Sequence, residues 1–382
     1  MMPHALPVAL EHNDDRFATA RMPGLDALRT LAVALTYLMH FSWLYASTFM
    51  ALDLESQRVS TKQSFEQQWV TVQYYSLYGV YLFFMISGLL IARKWLNDDT
   101  PLVGQYLRDR AARIFPTFWI ALSVAAWLAS THSPPVSFAL KDIVANATLL
   151  NWFAPHASPP WLIVSWSLQI EWLFYLAMPL IALLLRAIPS PHRLLALWAL
   201  TLILTVALKA LGERYFAYPA FFSVGISAAL YPQWARLAAQ KLTLTPLALA
   251  LLMVHMGYAA ADSVGAAKQP WAAGHFDVFA LLFLGVGGAM FVKIAFDPPR
   301  HLITPAILRL GRVSYSFYLW HLLVLIGAFR LVDKLDVLFY LRSWPWAARW
   351  SLSFVACGLV SVIVSHISYR LFEKPYFATR KT

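Results

Sequence analysis

The sequence predicts an all-α, polytopic membrane protein with about ten transmembrane helices and both termini in the cytoplasm. Hydrophobic residues make up 60% of the 382 residues and charged residues only 13%, which is too few to cover a soluble protein of this length. Ten apolar segments approach the roughly 20 residues that a helix needs to cross a bilayer. Lys and Arg are more frequent on one side of these segments than on the other, which is typical of membrane topology.

The ten apolar segments follow one another along most of the chain, and each predicts one transmembrane helix. The sixth is separated from the fifth by Lys209, Glu213 and Arg214, which we place in a short external turn. The predicted segments are 25–48, 72–95, 114–130, 161–186, 193–211, 214–232, 242–262, 275–296, 310–331 and 346–372.

An even number of helices places both termini on the same side of the membrane. That side holds 19 of the 30 Lys and Arg residues, the opposite side holds ten, and Arg29 lies within the first segment. Because the loops that stay in the cytoplasm carry the excess of basic residues, both termini are predicted to be cytoplasmic.

The chain divides into three predicted parts. Residues 1–24 form a cytoplasmic leader, since their acidic residues and the lack of a continuous apolar core exclude a secretory signal. Residues 25–375 form the ten-helix membrane domain, and residues 376–382 form a cytoplasmic tail. The longest external loops are 49–71 and 131–160, and the second is rich in proline.

Composition and motifs exclude several functional classes. Cys357 is the only cysteine, so no disulfide forms within the chain. The net charge of +11 does not indicate a nucleic-acid partner, because the basic residues lie at the ends of apolar runs and no soluble basic domain is present. The chain has no H-E-x-x-H, P-loop, G-x-G-x-x-G or G-x-S-x-G motif. No metal site is predicted, and the expected surroundings are a lipid bilayer.

Ionisable residues at membrane depth are candidates for function, because a charge there is costly unless it is paired or hydrated. The first segment holds Arg29 and His40, which are eleven residues, or about three helical turns, apart and therefore share one face. The alternative for Arg29 is a side chain that reaches back to the interface. The alternative for His40 is a structural hydrogen bond to a neighbouring helix.

Two further segments carry an ionisable residue at depth. Glu171 lies about 15 Å from the outer end of the fourth segment, and its alternative is a neutral carboxyl that bonds a neighbouring helix. His321 lies near the middle of the ninth segment. Tyr315, Tyr318 and His321 recur every three residues, so the alternative for this histidine is packing on one helix face.

Two polar sites lie near the predicted cytoplasmic surface. Ser87 and Gly88 lie near the cytoplasmic end of the second segment. Small residues there allow either close helix packing or the approach of a ligand to the backbone. Arg108, Arg110 and Arg113 precede the third segment. Such a cluster is either a topological anchor or a phosphate site, because guanidinium groups match phosphate oxygens.

Six sequence elements, in order between Leu25 and Pro375, together resemble the acyltransferase-3 family of integral-membrane O-acyltransferases. Each element is weak alone, and the order makes the resemblance specific. They are Arg29 and His40 separated by ten residues, FFMISG at 83–88, Arg110-x-x-Arg113 followed by Ile114 and Pro116, SWSLQIEWLFY at 165–175, SYSFYLWH at 314–321 and FEKP at 372–375.

The resemblance implies an enzyme of the bacterial inner (cytoplasmic) membrane that transfers an acyl group, usually acetyl from acetyl-CoA, to a hydroxyl. Acceptors in the family are typically carbohydrates of the cell envelope, with some lipids and other small molecules. We therefore expect acyl-CoA as the donor and a hydroxyl-bearing envelope glycan or lipid as the acceptor.

The expected donor site combines the polar groups at the cytoplasmic surface. Arg110 and Arg113 would contact the phosphates of acyl-CoA, with Arg29 deeper along the same route and Ser87 beside it. The expected catalytic residues are His40, Glu171 and Arg29.

Two routes of acyl transfer remain open. His40 would remove the acceptor proton while Glu171 orients or charges the imidazole. Alternatively, His40 is the nucleophile of an acyl-enzyme. A rival function is that of a secondary transporter or flippase for an anionic substrate, since such proteins also bury ionisable residues among many helices.

Overall fold

The computed structural model describes residues 22–52, 64–74, 76, 78–96, 101–131, 138–151, 160–211, 217–263, 275–335 and 337–375. This part of the chain is helical and contains no strand. Its helices are α1 Pro23–Met50, α2 Phe65–Tyr74, α3 Tyr78–Leu96, α4 Val103–Ser130, α5 Leu140–Thr148, α6 Ser165–Ala187, α7 Arg193–Ala210, α8 Tyr218–Leu230, α9 Pro232–Lys241, α10 Leu244–Ser263, α11 His275–Phe296, α12 Pro305–Arg312, α13 Ser314–Lys334, α14 Val337–Arg342 and α15 Trp346–Ser368.

The fold is that of an all-α, polytopic membrane protein. Among the described residues, six helical stretches are long and apolar enough to cross a membrane, or seven if the bent pair α9–α10 counts as one span. Each of the ten predicted segments overlaps at least one of the helices. However, α8 has only 13 residues, and α1 carries polar residues along its buried faces. Ten spans, and the side on which the termini lie, therefore stay predictions.

One predicted boundary was wrong. The third segment was expected to begin at 114, but α4 begins at Val103, so Arg110 and Arg113 lie inside a helix rather than in the loop before it. The division into leader, membrane domain and tail stays a prediction, and α1 begins at Pro23. The short helices α2 and α5 occupy parts of the two predicted external loops. Residues 1–21 and 376–382, as well as Glu213 and Arg214, lie outside the described residues.

The helices α3 and α8 pack with their backbones in contact. A Cβ atom at Gly88 would lie 2.2 Å from the carbonyl oxygen of Phe222, and one at Gly225 would lie 2.1 Å from that of Met85. Only glycine fits at such a crossing. Gly88 therefore serves the packing that the sequence suggested, and the tight contact fixes the position of its neighbour, Ser87.

Hydrogen bonds between helices hold the first turns of α13 in place. The Tyr315 hydroxyl donates to the carbonyl oxygen of Ile114 on α4 at 2.7 Å. The Tyr318 hydroxyl donates to that of Val164, just before α6, also at 2.7 Å. Ser316 donates to Glu373, which lies in the π-helical turn Tyr369–Glu373 that extends α15. Buried polar groups without partners are costly, so these bonds fix α13 against α4, α6 and α15.

Candidate active site

Five of the six predicted site residues line one cavity, although they come from four helices. Arg29 is on α1, Ser87 on α3, Arg110 and Arg113 on α4, and Glu171 on α6. The cavity holds about 810 Å³ of empty space with its mouth included. We call it the arginine cavity. Its remaining walls are mainly apolar, so the charges of its side chains act at short range with little screening.

The arginines of this cavity are placed by helix geometry. Arg110 and Arg113 are three residues apart on α4, so their side chains leave the helix on the same side. Arg29 Nη1 donates to Asp26 Oδ1 at 2.8 Å, which holds the guanidinium at the start of α1. The Nε atom of Arg110 is buried and has no hydrogen-bond partner in the described part of the protein. Such a buried donor is unfavourable alone and is suited to an anionic ligand.

Glu171 is bound by hydroxyl groups rather than by a histidine. Its Oε1 atom accepts hydrogen bonds from Ser87 on α3 and from Tyr175, one turn later on α6. Glu171 and His40, both described in full, share no hydrogen bond. The carboxylate instead lines the arginine cavity, and the catalytic role expected of Glu171 stays a prediction.

His40 is paired instead with His321, which lies 281 residues later in the chain. His321 Nε2 is 3.2 Å from His40 Nδ1, and the ring centroids are 5.1 Å apart. Helices α1 and α13 bring the two residues together. His40 is 5% exposed and His321 is fully buried. We call these two residues the histidine pair.

Backbone carbonyl groups define the tautomers of both imidazoles. His40 Nδ1 lies 2.9 Å from the carbonyl oxygen of Thr36, and His321 Nδ1 lies 3.0 Å from that of Phe317. A carbonyl oxygen only accepts, so each neutral ring carries its proton on Nδ1. His321 Nε2 then accepts from His40 Nδ1–H. His40 Nε2 is left unprotonated, which is the state a general base requires.

A second cavity lies at the other ends of the same helices. It is lined by residues of α1 from Trp43 to Thr48, by the last turns of α4 and by α13 from Leu323 to Asp333. Trp161, Ile163 and Arg342 complete the lining. The cavity holds about 1330 Å³ of empty space with its mouth included. We call it the tryptophan cavity.

The histidine pair lies between the two cavities along both helices that carry it. On α13, Tyr318 lines the arginine cavity, Leu323 lines the tryptophan cavity, and His321 is between them. On α1 the corresponding order is Arg29, His40 and Trp43. The ring of Phe317 stacks on His321 at a centroid distance of 5.8 Å, and that of Tyr318 lies at 6.0 Å.

Some functional groups were missed or only partly recognised in the sequence. The bond from Tyr175 to Glu171 follows from their i, i+4 spacing in SWSLQIEWLFY and could have been inferred. The partnership of His321 with His40 has no local signal, because two distant helices form it. Trp161 lines the tryptophan cavity, whereas Trp152 lies outside the described residues. Among the described side chains, no three His, Cys, Asp or Glu residues are grouped as they would be around a metal ion.

The chain is similar to three bacterial proteins of known name. It is 25% identical over 387 residues to the acyltransferase MdmB of Streptomyces mycarofaciens, which covers 93% of this chain and 91% of that protein. It is 25% identical over 351 residues to nodulation protein 10 of Rhizobium leguminosarum bv. viciae, which covers 82% and 85%.

A shorter match, 33% identical over 105 residues, is to the exopolysaccharide production protein ExoZ of Rhizobium meliloti and covers 25% of this chain and only 31% of that protein. No solved structure matches the chain significantly. The model of the family described as an acyltransferase domain matches residues 22–369, which is most of the chain. The protein therefore belongs to the acyltransferase-3 family of integral-membrane acyltransferases.

Proposed function

We propose that the protein transfers an acyl group, most often acetyl, from cytoplasmic acyl-CoA to a hydroxyl of a cell-envelope carbohydrate or a related acceptor. Residues 25–375 form the ten-helix catalytic domain in the bacterial inner membrane, between a cytoplasmic leader and a cytoplasmic tail. The observation that carries the proposal is the position of the histidine pair between an arginine-lined cavity and a second cavity at the other ends of the same helices.

The arginine cavity suits the phosphates of the donor. Arg29, Arg110 and Arg113 bring three guanidinium groups to one cavity, against the single carboxylate of Glu171. Guanidinium groups bind phosphate oxygens through paired hydrogen bonds, and Arg110 Nε is a buried donor without a partner among the described residues. With the termini in the cytoplasm, this cavity opens toward the compartment that holds acyl-CoA, because Arg93 and Lys94 end α3 on the same side.

Two routes use the same arrangement. In direct transfer, His40 Nε2 removes the acceptor proton, the acceptor oxygen forms an ester with the thioester carbon, and the C–S bond breaks. The CoA thiolate then takes the proton from the imidazolium. In the two-step route, His40 Nε2 attacks the thioester carbon, the C–S bond breaks, and CoA leaves as the thiolate while His40 becomes an acyl-imidazolium. The acceptor oxygen then bonds to the acyl carbon, the C–N bond breaks, and the acceptor proton passes to the freed Nε2 and from there to solvent. Hydrogen bonds from Nδ1 hold the ring for either route.

A carbohydrate acceptor is supported by the relatives. One of them is named for exopolysaccharide production, although the match covers only part of that protein. The tryptophan side chains of the second cavity have apolar faces and N–H donors, a combination that suits sugar rings.

The test is acyl transfer by purified protein in detergent, with radiolabelled acetyl-CoA and an envelope extract as the source of acceptors. We expect label in the extract with the unmodified protein and none with His40→Ala. The matched control is His366→Ala, because His366 also bonds a carbonyl oxygen of its own helix but lines neither cavity. In a parallel assay with the protein reconstituted into vesicles, label that accumulates inside them without a covalent product would instead identify a transporter.

A further inference from the structure

We propose that the tryptophan cavity binds an anionic saccharide, and that Arg330 and Arg342 select it. This inference rests on the proposed function and specifies its acceptor. The shared chemistry is a sugar that carries a phosphate or a carboxylate. The histidine pair lies between this cavity and the arginine cavity along α1 and α13, so a second substrate in the tryptophan cavity would approach the pair from the side opposite the donor.

The walls of the cavity suit a sugar. Trp43 and Trp161 line it, together with the hydroxyl groups of Ser47 and Thr48. The indole Nε1 of Trp161 is buried and has no hydrogen-bond partner among the described residues. A buried donor without a partner is unfavourable, and a sugar hydroxyl would satisfy it while the ring packs on the indole.

The charges of the cavity favour an anion. Arg330, Arg342 and Asp333 line it, so two guanidinium groups face one carboxylate and the local charge is positive. Arg330 Nη1 donates to the carbonyl oxygen of Leu128 at 3.1 Å, which fixes the guanidinium against the last turns of α4. Arg342 is exposed at the end of α14, so its guanidinium group is accessible to an incoming ligand. Arginine at such a site binds phosphate and carboxylate groups with two parallel hydrogen bonds.

The test uses glycans and glycolipids of the envelope, separated by anion exchange into a neutral and an anionic fraction. Purified protein and radiolabelled acetyl-CoA are added to each fraction. We expect label in the anionic fraction. The anionic fraction is then treated with phosphatase, or its carboxylates are reduced. The treatment that abolishes labelling shows whether the cavity binds a phosphate or a carboxylate.

Variants separate acceptor binding from the proposed reaction. Arg342→Gln should raise the KM for the anionic fraction by roughly tenfold, the effect of losing one charge-assisted hydrogen bond, and leave acyl-CoA binding unchanged. Asp333→Asn should lower that KM, because it removes the opposing charge. Lys334→Gln is the matched control, since it removes a cation from the same end of α13 without lining the cavity.

Three results would overturn the inference. Label confined to the neutral fraction, or an unchanged KM in Arg342→Gln, would exclude an anionic acceptor while acyl transfer itself stands. No label in either fraction, from protein that still binds acyl-CoA, would reject both the acceptor assignment and the proposed function.

Discussion

Arg349 Nη2 lies 2.6 Å from Glu66 Oε1, and this ion pair joins the start of α15 to the short helix α2. Arg349 Nε also donates to the Tyr45 hydroxyl at 2.8 Å, and its guanidinium lies 5.0 Å from the centroid of the Phe49 ring. Three helices therefore meet at one arginine that is only 7% exposed.

Arg349→Ala should destabilise the protein, because Glu66 would keep its charge without a partner. Loss of one member of a buried pair costs about 3 kcal/mol, and less where the other member is partly hydrated, as Glu66 is. The free energy of unfolding in detergent measures this. The double variant Arg349→Met with Glu66→Met should be more stable than Arg349→Ala, and a single variant as stable as the unmodified protein would exclude the pair as a structural contact.

Gly225→Ala should separate α3 from α8 and lower both stability and acyl transfer. The added methyl group would lie 2.1 Å from the carbonyl oxygen of Met85, so the two helices cannot keep their distance. Overpacking of this kind costs about 1–3 kcal/mol. Gly327→Ala is the matched control, since no atom lies within 4 Å of its Cβ position. The melting temperature should fall in Gly225→Ala and rise in Gly327→Ala, because alanine in an open helical position is stabilising.

His40→Ala should remove acyl transfer, whereas His321→Phe should reduce it. General-base catalysis contributes about 10²–10⁴-fold, so loss of His40 leaves little activity. His321 acts through His40 by accepting from Nδ1–H, a bond whose loss costs roughly tenfold or less while the Thr36 carbonyl still holds the ring. Initial rates with acyl-CoA in excess measure both. Turnover that survives in His40→Ala would instead make His321 the base.

Arg110→Lys and Arg113→Lys should each weaken acyl-CoA binding by roughly tenfold, because lysine keeps the charge but loses the paired donors. Calorimetry measures the affinity. Arg309→Lys is the matched control, since Arg309 is an exposed arginine of α12 that does not line the arginine cavity. His40→Ala should bind the donor normally. Unchanged affinity in both variants would mean that the two arginines do not bind the donor and serve only as topological anchors.

Both termini should be protected from impermeant thiol reagents in intact cells. Single cysteines near Arg16 and Lys381, in a chain whose only native cysteine, Cys357, has been replaced by serine, would be labelled after lysis. The prediction follows from the distribution of basic residues. Labelling of either site before lysis would contradict the even number of spans.

Hydropathy predicted where the long helices are, but not how they meet. The start of α4 at Val103 was missed because the polar stretch around Arg110 lowers hydropathy while its residues still favour helix. Five residues of the arginine cavity were singled out in the sequence, since they belong to recognisable elements, and their roles stay predictions. The pairing of His40 with His321, and the bond from Ser87 to Glu171, depend on packing between distant helices, which leaves no local pattern in a sequence.

The layer that separates the two cavities is thin. Tyr318 and Leu323 are five positions apart on α13, or about 7.5 Å of helix rise, and the histidine pair and its stacked rings fill that interval. If the protein lies in the inner membrane, as proposed, the voltage would fall mostly across this layer, because water in the cavities carries little of it. The proposed transfer then requires that an acyl group cross the layer while protons do not. The imidazoles that are proposed to exchange a proton with the substrate would also be part of the membrane's electrical insulation, so changes at Tyr318 or Phe317 would be constrained by proton leakage as well as by catalysis.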